Sequence, residues 1–376
     1  MRVGLTCEHL NRKLTGIGHY TYRLLTSLME VDTELEILPI NDRDLDVLSE
    51  INSDYIVVES PFRMVDGSLD VMRIYSWYLK LPKAIKNFEL DIVHNTSQTP
   101  TFFKFHQKYV ITIHDLTLIK YPGMHMGLGP FMQVLLPKTL RTANAIIAPS
   151  QNTKEDLIRI LGVPEEKIRV IPEACSPEFR PVEDAKIKKT LARLNIKHPY
   201  ILNVGTLEPR KNVETLIRAF AKISDSHPEF RLVIAGSKGW KYSSIFKLVK
   251  NRGLQKKVVF LDYVAKEDLP ALYNGAKVFV FPSVYEGFGL PPLEAMACGT
   301  AVITSNSSSI PEVVGDAGIM IPPFDVDGLA ESIREILMND ALRVELEQKS
   351  LRRSKRFSCE RMAKETYGVY KDIQGK

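Results

Sequence analysis

Short apolar segments alternate with helix-forming segments along almost the whole chain, and this alternation constrains the possible folds more than any other feature. In the first half, the apolar segments that predict strands are Val3–Cys7, Leu35–Ile40, Ile56–Val58, Ile92–His94, Tyr109–Ile113, Ala145–Ala148 and Arg169–Ile171. Strands that alternate with helices usually form a parallel sheet with helices on both faces. The sequence therefore predicts the α/β class for this half.

The same pattern starts again after a charged segment, Pro177–Lys197, in which a loop gives way to a helix. Further strands are predicted at Tyr200–Gly205, Arg231–Ala235, Val258–Leu261, Lys277–Phe281, Ala301–Thr304 and Gly318–Ile321, and helices at Asp327–Leu337, Ala341–Phe357 and Cys359–Tyr370. A chain of 376 residues is long enough for two domains of ordinary size. We therefore expect one domain at residues 1–180 and a second at residues 181–358.

The composition is typical of a soluble globular protein, with 44% hydrophobic and 25% charged residues. No apolar run approaches the roughly 20 residues that cross a bilayer, and the first ten residues predict a strand rather than a signal peptide. The cysteines lie far apart and lack the spacing of metal ligands; they are Cys7, Cys175, Cys298 and Cys359. These features predict a protein of the reducing cytoplasm.

Charge is divided unevenly between the two halves. Residues 1–185 contain 20 Lys and Arg against 24 Asp and Glu, a net charge of −4, and the remainder contains 30 against 21, a net charge of +9. A basic second half suits an anionic small ligand. Solvated surface helices such as the one that contains Arg352–Arg356 explain much of the same excess without a ligand.

Residues Pro282–Thr300 predict an anion-binding turn. The apolar run before them predicts a buried strand, Gly287 and Gly289 allow a tight turn, and Pro291–Cys298 predicts a helix with proline in its first turn. The first N–H groups of a helix are unpaired, and the helix dipole is positive at that end. A strand, glycine turn and helix in this order therefore favour phosphate binding.

Two glutamates lie in the same segment, Glu286 before the turn and Glu294 inside the predicted helix. A carboxylate repels phosphate, but it can accept hydrogen bonds from two sugar hydroxyls. Two solvated glutamates on a surface loop are the alternative. The surrounding strand, glycines and helix favour the hydroxyl-binding role.

A second candidate site follows the strand Tyr200–Gly205, where Arg210 and Lys211 stand in a polar turn. Two cations at a strand end suit a diphosphate, because Arg binds it bidentately and Lys adds a point charge. An isolated Arg-Lys pair after a proline is more often a surface feature. The position of this pair at the end of a predicted strand favours the phosphate-binding role.

Two segments resemble the retaining glycosyltransferases of family 4: YEGFGLPPLEAMACGTAVI is similar to their donor-binding signature, and GTLEPRKN to their phosphate-binding loop. The resemblance is strong over residues 200–325 and looser over residues 1–180. It implies the GT-B fold, with two Rossmann-like domains that face each other across a cleft. It also implies that the last helix, within about residues 359–376, crosses back onto the first domain.

The resemblance implies a role for each motif residue. Arg210 and Lys211 would stabilise the departing nucleoside diphosphate, Glu286 would hold hydroxyls of the transferred sugar, and Glu294 would hold the ribose. The catalytic residues that the resemblance predicts are His114, Glu286, Arg210 and Lys211. The donor-binding residues that it predicts are Gly16, Gly18, Gly205, Gly236, Val264, Gly287, Phe288, Gly289, Leu290 and Glu294.

In the first half, His114 follows a predicted strand at the end where ligands bind in open α/β sheets. A histidine in such a place is often structural, whereas the resemblance implies that it reaches the transferred sugar, as a neutral ring that accepts hydrogen bonds. Gly16 and Gly18 are expected to form a Gly-x-Gly turn before the first helix. The resemblance places that turn beside the diphosphate of the donor.

Two further segments have two interpretations each. Residues 71–86 mix aromatic and basic side chains, which fits either a membrane-surface or acceptor-binding patch or a partly buried helix. Residues Tyr121–Leu140 contain three glycines and three prolines and predict a mobile loop that leads into a helix and closes over the acceptor.

The predicted function is the retaining transfer of a hexose, glucose or mannose, from a UDP- or GDP-linked donor to a saccharide or lipid-linked acceptor in polysaccharide synthesis. No metal or other cofactor is expected, because Arg210 and Lys211 supply the positive charge. No nucleic acid partner is expected, and peripheral membrane association stays open. A GT-B epimerase and a catalytically silent nucleotide-sugar binding module are the alternatives.

Overall fold

The computed structural model describes residues 1–10, 16–41, 55–58, 79–101, 104–124 and 129–375, without the side chains of residues 129–131. The chain divides into two compact units. We call Met1–Pro122, Gly127–Ala174 and Ser358–Lys376 the N-terminal unit, and Gly123–Met126 with Cys175–Phe357 the C-terminal unit. Half of the segment 71–86, namely residues 71–78, and residues 125–128 of the predicted loop lie outside the described residues.

The N-terminal unit contains a parallel sheet in the order β3-β2-β1-β4-β5-β6-β7. Its strands are β1 Arg2–Thr6, β2 Glu36–Asn41, β3 Ile56–Val57, β4 Ile92–Asn95, β5 Lys108–Thr112, β6 Ala145–Ala148 and β7 Ile168–Val170. The strand order reverses between β1 and β4, which are neighbours in the sheet. In an open α/β sheet, ligands bind outside the carboxyl ends of the strands at such a reversal.

The described helices of the N-terminal unit before its last element are α1 Gly16–Leu28, α2 Thr117–Lys120, α3 Gly129–Thr142 and α4 Gln151–Leu161. Residues 79–84 are also helical and continue into a 3-10 turn at Ile85–Phe88. The bounds of α4 follow from local chemistry. The Ser150 hydroxyl accepts the N–H of Thr153 at its start, and Gly162 ends it with a φ of 62°.

The C-terminal unit repeats the architecture with a six-stranded parallel sheet in the order β10-β9-β8-β11-β12-β13. Its strands are β8 Tyr200–Val204, β9 Arg231–Ala235, β10 Val258–Phe260, β11 Val278–Phe281, β12 Val302–Ser305 and β13 Gly318–Ile321. The strand order reverses between β8 and β11. All thirteen strands predicted from the sequence are confirmed, each end within one residue.

Helices cover this second sheet: α5 Asp184–Arg193, α6 Val213–Ile223, α7 Ser243–Asn251, α8 Leu269–Asn274, α9 Leu290–Ala297, α10 Ile310–Val314, α11 Val326–Met338 and α12 Asp340–Ser354. In α6 the buried side chains Val213, Leu216, Ile217 and Phe220 recur at helical spacing and pack into the core of the unit. Such apolar stripes fix which face of each helix lies on the sheet.

The last helix, α13 Cys359–Gln374, belongs to the N-terminal unit and packs against α1. Its Tyr370 is fully buried, and the Tyr370 hydroxyl lies 2.6 Å from Nδ1 of His94 on β4. The expected return of the last helix to the first domain is therefore confirmed. No helix in the described part of the chain has the length and apolar character needed to cross a membrane.

Candidate active site

Arg210 and Lys211 lie in a 3-10 turn, Pro209–Lys211, between β8 and α6. The next residue, Asn212, has a φ of 53°, and its side-chain amide donates to the carbonyl of Pro282 at 3.0 Å. This bond ties the turn to the segment that follows β11. The two bases are therefore held at the carboxyl ends of β8 and β11, where the strand order reverses.

Glu286 meets both bases at this point. Its Oε2 accepts a hydrogen bond from Arg210 Nη1 at 2.5 Å, and its Oε1 accepts one from Lys211 Nζ at 2.7 Å. The Ser283 hydroxyl also donates to Oε1 at 2.6 Å. Glu286 thus forms one hydrogen-bonded cluster with Arg210 and Lys211, which lie 76 and 75 positions before it in the sequence. We call these three residues the base–glutamate cluster.

Arg210 has further partners that fix its plane. Its Nη2 donates to Oε1 of Glu208 at 2.6 Å, and its Nη1 also donates to the carbonyl of Tyr285 at 2.9 Å. Charge-assisted bonds of this kind are shorter and stronger than neutral ones. Because Glu208 and Glu286 both lie at its guanidinium group, Arg210 is held in one orientation before any ligand binds.

The cluster is buried, and burial sets its electrostatics. Only 7% of Glu286 and 9% of Lys211 is exposed. Burial alone would raise the pKa of Glu286, but the charges of Arg210 and Lys211 outweigh it and lower the pKa to about 2. Burial and the neighbouring Arg210 lower the pKa of Lys211 from its usual value, against the opposing charge of Glu286. Glu286 is therefore ionised at neutral pH.

The glycine turn that follows Glu286 leads directly into α9. Gly289 has a φ of 123°, and a Cβ at this position would lie 2.8 Å from Cδ1 of Ile310, so both backbone and space require glycine. Phe288 is buried against Phe357 with ring centroids 5.6 Å apart, which anchors the turn. Leu290 begins α9, whose first turn contains two prolines and no acidic residue. The predicted arrangement of turn and helix is confirmed, and the N–H groups at the start of α9 suit an anion.

Glu294 lies on α9 rather than in the base–glutamate cluster. It is buried, and its Oε2 accepts a hydrogen bond from the hydroxyl of Tyr273 on α8 at 3.1 Å. Burial and the neighbouring Glu294 raise the pKa of Tyr273 well above its usual value, so Tyr273 keeps its proton. The two glutamates therefore have different partners, which suits two different ligand groups.

Gly205 and Gly236 follow β8 and β9 and lie against each other. A Cβ on Gly236 would be 2.0 Å from the carbonyl oxygen of Gly205, which excludes any other residue there. Val264 follows β10, and its side chain is buried in the core, whereas the neighbouring Tyr263 is 47% exposed. Any role of Val264 toward a ligand would therefore fall to its backbone.

His114 follows β5 in the N-terminal unit and is buried. Its Nε2 lies 2.9 Å from the carbonyl oxygen of Thr96, and its Nδ1 lies 2.9 Å from Oε1 of Glu173. Burial alone would lower the pKa of His114, but the hydrogen bond and charge of Glu173 outweigh burial and raise it above the usual value.

This environment corrects the expected state of His114. We predict from the sequence a neutral ring that accepts hydrogen bonds, but Thr96 and Glu173 both present acceptor oxygens to the ring nitrogens. An imidazole that donates from both nitrogens is a cation. We therefore assign His114 a positive charge, balanced by Glu173.

The glycines near the start of α1 also require a correction. The sequence predicts that Gly16 and Gly18 form a turn before the helix, whereas Gly16 is the first residue of α1 and Gly18 lies in its first turn. Gly16 is exposed, and no atom of the residues that the structure describes lies within 4 Å of a Cβ added to it. The N–H groups of a first helical turn can still face an anion.

Sequence reasoning missed the partners that hold these residues. Glu208, Ser283, Tyr273 and Glu173 each bond to a predicted site residue. Glu208 lies inside the motif GTLEPRKN and Ser283 lies in the segment Pro282–Thr300, so their closeness in sequence to the bases and to Glu286 was a usable signal. Glu173 lies 59 positions from His114 and belongs to no motif that we recognised.

The two parallel-sheet units have the GT-B fold, a fold class found in glycosyltransferases. Sucrose-phosphate synthase from Thermosynechococcus elongatus superposes with a TM-score of 0.80 at 23% identity, over 99% of this chain and 98% of that chain. Anabaena HepE, solved in complex with UDP-glucose, superposes with a TM-score of 0.79 at 18% identity, over 99% of this chain and 100% of that chain. The predicted GT-B fold is thereby confirmed.

Sequence comparison identifies the family. The family model "Glycosyltransferase Family 4" matches residues 14–179, and the model "Glycosyl transferases group 1" matches residues 186–353. O-antigen chain mannosyltransferase B of Escherichia coli is 31% identical over 384 residues, which cover 99% of this chain and all of that protein. The chain belongs to glycosyltransferase family 4.

Proposed function

We propose that this protein transfers a mannosyl residue from a nucleoside diphosphate mannose to a saccharide or lipid-linked acceptor in polysaccharide synthesis, with retention of anomeric configuration. The base–glutamate cluster carries the proposal, because it combines groups for a diphosphate and for sugar hydroxyls in one buried place. The name of the Escherichia coli relative, an O-antigen chain mannosyltransferase, favours mannose over other hexoses.

Arg210 and Lys211 are proposed to hold the diphosphate and to stabilise the charge that grows on it as the bond to the sugar breaks. A preorganised positive site of this kind stabilises a transition state more than a ground state. The Nζ group of Lys211 carries three N–H donors, of which one is directed at Glu286. The two fixed cations and the start of α9 support transfer without a divalent metal.

Glu286 is proposed to bind hydroxyls of the transferred sugar rather than to attack its anomeric carbon. Both carboxylate oxygens already accept charge-assisted hydrogen bonds, and the pKa of Glu286 is held at about 2. A carboxylate whose negative charge is so strongly stabilised is a weak nucleophile. This supports departure of the diphosphate and attack of the acceptor on the same face of the sugar, with the diphosphate taking the acceptor proton.

Glu294 is proposed to bind the ribose of the donor. His114 is proposed to position neighbouring groups of the N-terminal unit rather than to contact the sugar directly. Both ring nitrogens of His114 face protein acceptors, so a bond from either nitrogen to a sugar hydroxyl would break an existing one. As a positioning residue, His114 would orient the carbonyl of Thr96 and the carboxylate of Glu173.

The test is incubation with GDP-mannose, UDP-glucose and their base-exchanged counterparts, with methyl α-mannoside and mannobiose as acceptors. Proton NMR of the first-formed glycoside from an α-linked donor should show an α-linkage, and activity should persist in excess chelator. A β-linked product would refute retention. An epimerised donor without transfer would favour the epimerase alternative, and loss in chelator that magnesium restores would refute metal independence.

A further inference from the structure

A run of serines that starts at the last residue of β12 and ends just before α10 bonds to the backbone around Glu286. The Ser305 hydroxyl donates to the carbonyl of Ser283 at 2.6 Å, and the Ser307 hydroxyl donates to the carbonyl of Val284 at 2.7 Å. Both acceptors lie in the segment that carries Glu286 between β11 and α9. The first two serines therefore fix the beginning of that segment.

The next two serines bond to Glu286 itself. The Ser308 hydroxyl accepts the backbone N–H of Glu286 at 2.9 Å. The Ser309 hydroxyl lies 2.9 Å from the carbonyl oxygen of Glu286 and 2.7 Å from that of Phe288, and it donates to this pair. The backbone N–H and C=O of Glu286 are thus both held by side chains of one short segment.

This arrangement matters because residues 283–288 contain neither helix nor strand. A helix or strand would fix its own backbone, whereas an irregular segment needs side-chain partners for its buried polar groups. The Cα–Cβ direction of Glu286 depends on the orientation of its two peptide groups. Ser308 and Ser309 therefore determine where the Glu286 carboxylate points, and Ser283 holds that carboxylate from its other end.

We propose that Ser308 and Ser309 are positioning residues that aim the Glu286 carboxylate at the donor sugar, an inference that rests on the proposed function of Glu286. They act through Glu286 and do not themselves bind the donor. If these serines only stabilised the fold, any other buried hydrogen bond in this unit could serve equally well. A positioning role requires the bonds at Glu286 in particular.

The first experiment compares Ser309→Ala with Ser350→Ala. Ser350 is also fully buried in the C-terminal unit, and its hydroxyl donates to the carbonyl of Ala317 at 3.2 Å, away from Glu286. Both variants lose a buried hydroxyl and should lower the melting temperature similarly. Only Ser309→Ala should lower kcat for transfer from GDP-mannose, by about tenfold to a hundredfold, as expected when a reacting group is misplaced. Affinity for GDP alone should stay within about twofold.

The second experiment uses Ser308→Gly to separate function from stability. Ser308 has a φ of 52°, a left-handed conformation that glycine adopts without steric cost. Relief of the left-handed strain, about 1 kcal/mol, offsets the loss of one hydrogen bond, so the variant should melt close to the wild type, yet it lacks the hydroxyl that accepts the N–H of Glu286. A lower kcat in a protein of undiminished stability would support positioning, and an unchanged kcat would contradict it.

A third measurement does not depend on transfer activity. Hydrogen exchange of the backbone amides in residues 284–290 should be faster in Ser309→Ala than in Ser350→Ala or the wild type. Equal exchange in both variants, or equal loss of kcat in both, would overturn the positioning role. An inactive wild type would overturn the proposed function alone, and the exchange comparison would still decide whether the serines hold Glu286.

Discussion

The two units each bury a set of opposite charges near the carboxyl ends of parallel strands, but the charges differ in kind. In the C-terminal unit, Arg210 and Lys211 surround Glu286, whose pKa is lowered to about 2. In the N-terminal unit, His114 faces Glu173, which raises the pKa of His114 above its usual value. The first set contains a carboxylate that stays ionised through the neutral range, whereas the second contains a group whose ordinary pKa lies near neutrality.

The difference indicates where pH should act. The Glu286 carboxylate of the base–glutamate cluster stays ionised from mildly acidic to mildly alkaline solution. The His114–Glu173 pair changes its charge when His114 loses its proton. The pH dependence of stability near neutrality should therefore arise in the N-terminal unit. The loss of stability and turnover on removal of one charged side chain should be largest in the C-terminal unit. The following variants test this contrast, in order of expected effect.

The largest effect should come from Glu286→Ala, which leaves Arg210 and Lys211 buried without their shared carboxylate. Removing one partner of a buried charge set typically costs about 3–5 kcal/mol of unfolding free energy. Loss of an electrostatic group at the reacting centre should also lower kcat about a hundredfold or more. Denaturant unfolding and donor turnover measure the two effects.

Glu345→Ala is the control for that variant, because Glu345 pairs with Lys349 on the surface of the same unit. It should change neither stability nor turnover appreciably. If Glu286→Ala unfolds at the same denaturant concentration as this control, the base–glutamate cluster is not a mutually stabilising set.

The next effect should come from removing either base. Arg210→Ala or Lys211→Ala loses charge-assisted hydrogen bonds to the diphosphate, each worth about 1.5–3 kcal/mol, so kcat/KM for the donor should fall roughly tenfold to a hundredfold. The fall should include kcat, because the bases are proposed to act on the departing group. Lys222→Ala, which removes a surface pair with Asp327, is the control. Turnover equal to the wild type in both base variants would refute the assignment.

Two buried histidines of the N-terminal unit should change the unfolding free energy in opposite directions as pH rises. Burial lowers the folded-state pKa of His94 to about 3, from an ordinary value of 6.5. The neutral ring therefore contributes stability above pH 6.5 that is lost as pH falls, about 2 kcal/mol between pH 6.5 and 5. His114 has a raised pKa, so its contribution is present below pH 6.5 and is lost as pH rises through its folded-state value.

Unfolding free energies measured between pH 5 and 9 check this pair. His94→Gln should flatten the acid side of the curve, and His114→Gln should flatten the alkaline side, so each variant serves as the control for the other. If both variants flatten the same side, the charge that we assign to His114 is wrong.

The smallest effect should come from Tyr273→Phe, which removes the hydrogen bond to Glu294. One such bond is worth about 1 kcal/mol, so calorimetry should show nucleoside diphosphate binding weakened about fivefold. Tyr200→Phe is the matched control, because the buried Tyr200 hydroxyl donates to the carbonyl of Leu272 and not to Glu294. Equal weakening by both variants would remove Glu294 from the ribose site.

The sequence predicted the sheets well because buried strands leave a strong local signal. Each strand is a short apolar run, and its neighbours in the chain are helices, so local pattern alone gave both its position and the parallel class. The bases and Glu286 were also recognisable, because each lies in a short motif at a strand end. Their direct pairing was not, since a contact between residues 75 positions apart depends on which strands are neighbours in the sheet.

The N-terminal site was less predictable for the same reason. His114 obtains its charge from Glu173, which the fold brings near from beyond β6 and α4. The pattern of Gly16 and Gly18 predicted a turn, because glycine is disfavoured in helix interiors. The two residues instead lie in the first turn of α1, whose N–H groups have no partners within the helix. Local sequence does not contain the contacts that decided either case.

The return of α13 to the N-terminal unit has a consequence for synthesis of the chain. Domains tend to fold as they emerge during translation, the N-terminal one first. Here the buried Tyr370, Met362 and Ala363 of α13 complete the core around β1 and α1. Residues 359–374 follow Cys175–Phe357 in the sequence, so the residues of the base–glutamate cluster are synthesised before the helix that completes the N-terminal core. The half that is translated first therefore receives the last element of its core only after the other half has been translated.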